Sequence, residues 1–273
     1  MKSTASAANP AGIDWGSAGW EELAPRVGRV RLPGWDCTTG LVVGDEAALL
    51  IDTGSSLREG VRLRTETRRL LGTPGTPGTP GTPGTPGTPG TPGRVTHIAL
   101  THPHFDHVLG TAAFAGVEVF GAAGIDTVFA DGADALRADA VRHGLGPEAA
   151  SEAAELLVTP RHRVCGERTL DLGGGVQVLL ANVGPGHSGH DLAVLVSGPS
   201  SGPEIVFCGD LVEESGEPQA GTDAAPHQWP AALDRLLSLG GEDARYVPGH
   251  GSTVNAAFVR EQRATLAARF GVS

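Results

Sequence analysis

A chain of 273 residues with a formal net charge of −11 and a pI of about 5.3 lacks the basic surface that nucleic acids and anionic membranes select. Its hydrophobic content of 40% fits a globular protein long enough to bury a substantial core, and with only 4% aromatic residues much of that core must be alanine and glycine. Three scattered cysteines without a CxxC pair exclude a disulfide framework and a thiolate zinc finger. With no apolar leader and no apolar run near ~20 residues, the expectation is a cytoplasmic protein with reduced thiols.

In chain order, residues 1–20 are small and polar and read as a flexible tail, with the folded domain expected over residues 21–273. Strands are predicted over residues 27–32, 38–43 and 47–51, the last two joined by a turn at Gly44, Asp45 and Glu46. An amphipathic helix follows over residues 57–71, stopped by Gly72. From Gly72 to Gly93 runs a low-complexity Gly-Thr-Pro repeat. Glycine at every third position is formally collagen-like. A triple helix would need three chains aligned there, so a flexible, partly polyproline-II loop is the better reading. Such a composition cannot pack a core.

Beyond the repeat, residues 95–100 form a buried-type strand that runs into Thr101-His102-Pro103-His104-Phe105-Asp106-His107. A helix is expected to begin near residue 110, a strand at 117–120, and Ala-rich helices over 125–143 and 147–157. Strands are then predicted at 168–172, 176–182, 191–196 and 205–208, a helix at 228–239, a short strand at 244–247 and a closing helix at 254–270. Strands in both halves with interleaved helices suggest two sheets with helices outside them.

Chemistry concentrates after the residue 95–100 strand. Imidazole and carboxylate are the donors that borderline divalent metals prefer. In extended chain, residues two apart face the same side, so His102 and His104 can converge on one ion. A turn after Phe105 would let Asp106 and His107 face a second. The plain alternative is a polar surface turn, but four potential ligands within six residues directly after a buried strand argue for a metal site. Further candidates stand at strand ends: His187 in Gly-Pro-Gly-His-Ser-Gly, Asp210 after Gly209, and His250 in Pro-Gly-His-Gly. Function gathers on loops at one edge of layered sheets.

The ordered series HxHxDH, GHS, GD and PGHG, preceded by IDTG, resembles the metallo-β-lactamase-fold hydrolase superfamily over residues 27–250. The resemblance implies an α/β protein, an αββα four-layer sandwich of one domain with metals in a groove at one edge. It further implies that His102, His104 and His187 hold one metal, that Asp106, His107 and His250 hold another, and that Asp210 bridges them. Asp52 of the IDTG turn would orient a ligand histidine. Two divalent cations, zinc first with iron or manganese as alternatives, would make a shared water acidic, and Asp106 would act catalytically by orienting it or moving a proton.

The β-lactamase branch uses a metal-binding cysteine where this chain has Asp210, while Cys208 falls in the apolar strand and reads as packing. The expected function is therefore hydrolysis of a small ester-like substrate, a thioester, lactone or related acyl compound. Alternatives are a β-lactam hydrolase, a nuclease of the same fold, and an iron-dependent sulfur dioxygenase or other redox protein on the scaffold. Glu213, Glu214 and Asp223 would lie near the groove mouth. The two glutamates read as solvated acids and Trp229 as helix packing. His190 reads as an exposed loop histidine and His97 as a satisfied core histidine, while His143, His162 and His227 lack ligand-like context.

Overall fold

The computed structural model describes residues 12–72, 92–197 and 202–272. Two sheets face each other. The first contains β1 (Glu21–Ala24), β2 (Val27–Arg31), β3 (Thr38–Val43), β4 (Ala48–Ile51), β5 (His97–Ala99), β6 (Glu118–Ala122) and β7 (His162–Val164), in that spatial order. Pairing is antiparallel from β1 to β4 and parallel from β4 to β7. The second holds β8 (Glu167–Asp171), β9 (Gln177–Asn182), β10 (Leu192–Val196), β11 (Ile205–Glu213) and β12 (Arg245–His250), with β12 parallel to β11 and the rest antiparallel.

Strict alternation along the strands builds the layers. Leu49 and Ile51 of β4 point between the sheets with Val194 of β10 and Phe207 of β11. Leu50 points outward to α1 (Leu57–Leu71), α3 (Ile125–Arg142) and α4 (Pro147–Glu155), where it joins Leu63, Leu136 and Ala150. On the other outer face Ala193 and Val206 meet Leu233 of α5 (Trp229–Gly240) and Val259 of α6 (Ala256–Phe270). The period of two assigns each residue to one face. The result is the expected αββα sandwich, with a short α2 (Phe105–Val108) after β5. No helix among the described residues is long and apolar enough to cross a membrane.

Local chemistry explains the boundaries. The side chain of Ser56 caps α1 by accepting from the Glu59 amide at 3.3 Å, while Glu59 reaches back to accept from the Ser55 amide and hydroxyl, reciprocal capping of the box type. At α6 the Asn255 side chain alone caps the helix, accepting from the Phe258 amide at 3.0 Å. Gly60 of α1 lets the helix lie against the turn after α2, where an added Cβ would stand 2.2 Å from the Gly110 carbonyl oxygen. Gly132, inside α3, has no such packing reason, since a Cβ there would meet only Val128 at 3.8 Å. Glycine inside a helix costs about 1 kcal/mol relative to alanine.

Three expectations need correction. The tail does not extend to residue 20, because Ile13, Trp15 and Trp20 are buried in the first outer core and Gly28 makes room for the Trp15 ring. Strands β1 and β7 were not anticipated; each is short with a single buried residue, so no apolar alternation marks them. Asp210 does not follow a strand end but lies inside β11, which continues to Glu213 past an irregularity at Gly209. Gly209 has φ +54°, a left-handed conformation that glycine adopts without a steric cost and that re-aims the next side chain. The Gly-Thr-Pro tract over 73–91 lies outside the described residues.

Candidate metal centre

One edge of the two sheets, with the loops and short helix there, delivers seven side chains to one spot. His102 leaves β5, and His104, Asp106 and His107 follow through α2. His187 arrives on the loop after β9, Asp210 from the irregular part of β11, and His250 from the end of β12. Donor atoms of His102, His104, His187 and Asp210 all lie within 4.8 Å of one another, as do those of His107, Asp210 and His250. Asp106 Oδ2 is 3.3 Å from His250 Nε2 and 3.6 Å from His107 Nε2. Asp210 touches both groups, at 3.5 Å from His187 Nε2 and 3.3 Å from His250 Nε2.

Each ring is held from behind by a hydrogen-bond acceptor, and this fixes its tautomer. His187 Nδ1 donates to the Gln219 carbonyl at 3.1 Å, and His250 Nδ1 donates to the Trp35 carbonyl at 2.7 Å. His107 Nδ1 donates to Asp52 Oδ2 at 2.9 Å. His102 Nδ1 meets the Thr101 hydroxyl, itself donated to Asp52. His104 is oriented the other way, with Nε2 donating to Asp223 Oδ2 at 3.0 Å. In the neutral tautomer that each anchor selects, the inward nitrogen carries the lone pair. His104 Nδ1 and His187 Nε2 face each other at 2.9 Å, and His102 Nε2 and Asp210 Oδ1 are buried without hydrogen-bond partners. Converging acceptors repel unless a cation sits among them, so the residues fit divalent metal.

The electrostatics agree. Burial pushes His102 well down, with His107 adding to the effect, and burial pushes His187 to about 4. At His107 and His250 burial is overcome by the surrounding acids, which raise His250 to about 12. At His104 the bond to Asp223 likewise outweighs burial. Asp210 stays well below the usual carboxylate range despite burial, because His107, His102 and His250 surround it. A cluster that drives some imidazoles neutral and draws protons onto others is one that seeks positive charge at its centre.

Asp52 does more than orient one ring. Its Oδ1 accepts from the Thr101 amide at 2.8 Å and its Oδ2 from the Thr101 hydroxyl and His107. It holds φ +60°, a conformation that aspartate tolerates better than most residues. Gly249 lies so close to Asp210 that an added Cβ would stand 1.8 Å from Oδ1.

These geometries surround a match to the metallo-beta-lactamase superfamily model over residues 32–250. The chain belongs to the metallo-beta-lactamase superfamily. A metallo-beta-lactamase from Pontibacter korlensis superposes with a TM-score of 0.65 at 21% identity, covering 90% of this chain and 97% of that one. The metallo-beta-lactamase FIM-1 from Pseudomonas aeruginosa, in a mono-zinc form, gives 0.62 at 18% identity, covering 93% and 96%. A metallo beta lactamase from Hirschia baltica gives 0.60 at 14% identity, covering 90% and 96%. No curated protein sequence matches. At these identities the solved structures speak for the shared fold.

Within this superfamily member, several side chains lie outside the cluster. Cys208 is buried among α5 and α6 residues, as expected of packing. His190 Nδ1 donates to the Ala123 carbonyl at 2.9 Å, and the ring packs against Gly124 at the start of α3. His97 is half-buried and stacks on Phe120. His143 stacks on Phe105, and His162 pairs with Glu118. Glu213 bonds the Ser215 amide and hydroxyl, and Glu214 accepts from the Ser252 amide, so both brace loops beside the centre rather than simply facing solvent. Trp229 packs α5 as expected and also backs the His187 ring at 5.4 Å.

Four contributors were not assigned from the sequence. Cys37 Sγ lies 3.5 Å from His107 Nδ1, and burial raises the thiol to about 11, so it backs the ring as a neutral group. The Trp35 and Gln219 anchors are backbone carbonyls, which no residue type advertises. Asp223 was placed only near the groove mouth, 119 residues from the ring it holds.

Proposed function

We propose that this protein is a dinuclear metal-dependent hydrolase of a small ester-like substrate, a thioester, lactone or related acyl compound. Zinc is the first choice of metal, with iron or manganese accepted by the same donor types. The observation that carries the reading is the set of bare, anchored imidazole nitrogens converging on Asp210. His102, His104 and His187 would hold one ion and Asp106, His107 and His250 the other, with Asp210 between them. The cations, when bound, supply Lewis acidity that makes water nucleophilic near neutral pH and offsets charge on the reacting carbonyl oxygen.

The chain's own groups do the rest. Asp106 is buried at 8% exposure, and burial opposed by His107 and His250 leaves its carboxyl below the ordinary range. It is ionised and placed to orient water and pass a proton toward the leaving group. Asp52 and Asp223 keep the rings aimed. With Cys208 turned into the helix-side core, and Cys37, which lies within reach of Asp106 and His107, kept a neutral thiol by burial, the seven proposed ligands are nitrogen and oxygen donors, which favours acyl esters over the β-lactams of the structural neighbours' names. The acidic chain supports a small-molecule substrate rather than nucleic acid. Unpaired Cys37, Cys165 and Cys208 support a cytoplasmic setting.

Protein purified without added metal should carry close to two ions per chain, measured by inductively coupled plasma spectrometry. A single iron would favour the dioxygenase reading instead. A panel of thioesters, lactones, β-lactams and phosphodiesters should give turnover with an acyl ester. His102→Ala and Asp210→Ala should each abolish that turnover and lower metal content; wild-type rates in either variant would sink the dinuclear mechanism.

A further inference from the structure

A cavity of about 500 Å³ opens directly beside the centre, between α3 and the loop at Gly221, Thr222 and Asp223, with His104 in its wall. That volume lies within the range of small-molecule sites, roughly 300–1,000 Å³. Val128, Gly132, Ala135 and Leu136 of α3 face it, at the spacing of one helix face. Opposite them, Asp223 is tied to the His104 ring. One wall of the cavity thus leads onto the metal-facing histidine itself.

Two observations say what fits. The first is Gly132, the least favourable ordinary helix residue, kept in the third turn of α3 although no packing contact requires it. A side chain there would fill the cavity. The second is charge. Asp139 is paired with Arg142 at 2.7 Å and Asp223 accepts from the His104 ring at 3.0 Å, so no unpaired cation lines the rim and the net charge left there is negative, which disfavours an anion. The space between them suits an uncharged apolar chain rather than an anion.

We infer that this cavity binds the acyl chain of the substrate, and that Gly132 sets its capacity for medium-length chains over acetyl. The inference rests on the hydrolase reading for its acyl group and adds the chain-length preference and the wall that imposes it. Gly132→Leu tests it, because leucine favours the helix and the Cβ position is open. The variant should keep the metal content and Tm of the wild type. Filling the cavity should lower the ratio of kcat/KM for octanoyl over acetyl thioester at least about tenfold, the discrimination that one or two methylenes provide in an apolar pocket.

Isothermal titration of octanoate into the metal-loaded protein gives a second reading that needs no turnover, with affinity expected to drop about as far in Gly132→Leu. Gly132→Ala should retain octanoate binding and rule out a general disturbance of α3. If wild type hydrolyses acyl substrates but the octanoyl-to-acetyl ratio and octanoate affinity are unmoved in Gly132→Leu, the cavity assignment is overturned while the hydrolase reading stands. If wild type hydrolyses none of them yet binds octanoate in a Gly132-dependent manner, the cavity stands and the hydrolase reading falls. Absence of both octanoate binding and chain-length preference in wild type overturns the cavity assignment as well.

Discussion

Each histidine of the centre turns one ring nitrogen inward and anchors the other, and under the proposed function the anchors would set how well the donors hold metal. Asp52 is the most connected of them, holding His107 directly and His102 through Thr101. Asp52→Ala should weaken metal affinity by about 10–100-fold, read by competition with a chromogenic chelator; unchanged affinity would show the ligands to be fixed by packing alone. Asp191 fixes the loop after His187 by accepting from the Ser188 amide and hydroxyl. Burial holds its carboxyl up at about 7, against those hydrogen bonds. The folded protein therefore keeps this proton to higher pH than the unfolded chain, whose aspartates titrate near ~4. Its contribution to stability is complete below the unfolded value and declines as pH rises from there to about 7. In metal-free protein, Asp191→Asn should remove that decline, so thermal melts from pH 4 to pH 7 should increasingly favour the variant. Parallel melting curves would refute the buried-acid account.

At the scale of elements, close approaches at glycine bring the donors together. Strands β11 and β12 can deliver Asp210 and His250 side by side only because position 249 lacks a side chain. Gly249→Ala should displace the Asp210 carboxylate, lowering metal content while circular dichroism stays like that of the wild type. Gly60→Ala would press α1 against the Gly110 carbonyl, an overpacking expected to cost about 1–3 kcal/mol and visible as a lower Tm. Most elements were legible from apolar periodicity: α1 spans the predicted residues 57–71, and β3 the predicted 38–43. Strand β7, with only three residues, is too short for periodicity to mark. The continuation of β11 was hidden because Gly209-Asp210 reads as a turn, whereas the parallel partner β12 keeps the chain extended through the irregularity.

At the scale of the whole molecule, the Gly-Thr-Pro tract interrupts the connection from α1 to β5. Both flanks are secured independently, since Leu70, Leu71 and Val95 are buried in the same outer core, and the cost of closing a loop grows only logarithmically with its length. Deleting residues 75–92 should therefore leave Tm and metal content nearly unchanged; loss of either would show that the tract contributes to the fold. What the sequence alone determined was local. The alternation of apolar residues assigned the sheets, and the order of HxHxDH, GHS, GD and PGHG picked out the candidate donors, because residue type and spacing are carried along the chain. Only the tertiary structure decided how near His102 Nε2 stands to Asp210, at 3.6 Å, which ring nitrogens face inward, and that Asp223 and the Trp35 carbonyl hold two of those rings. Those are contacts between residues distant in sequence, made by packing one sheet on another, and no local pattern encodes them.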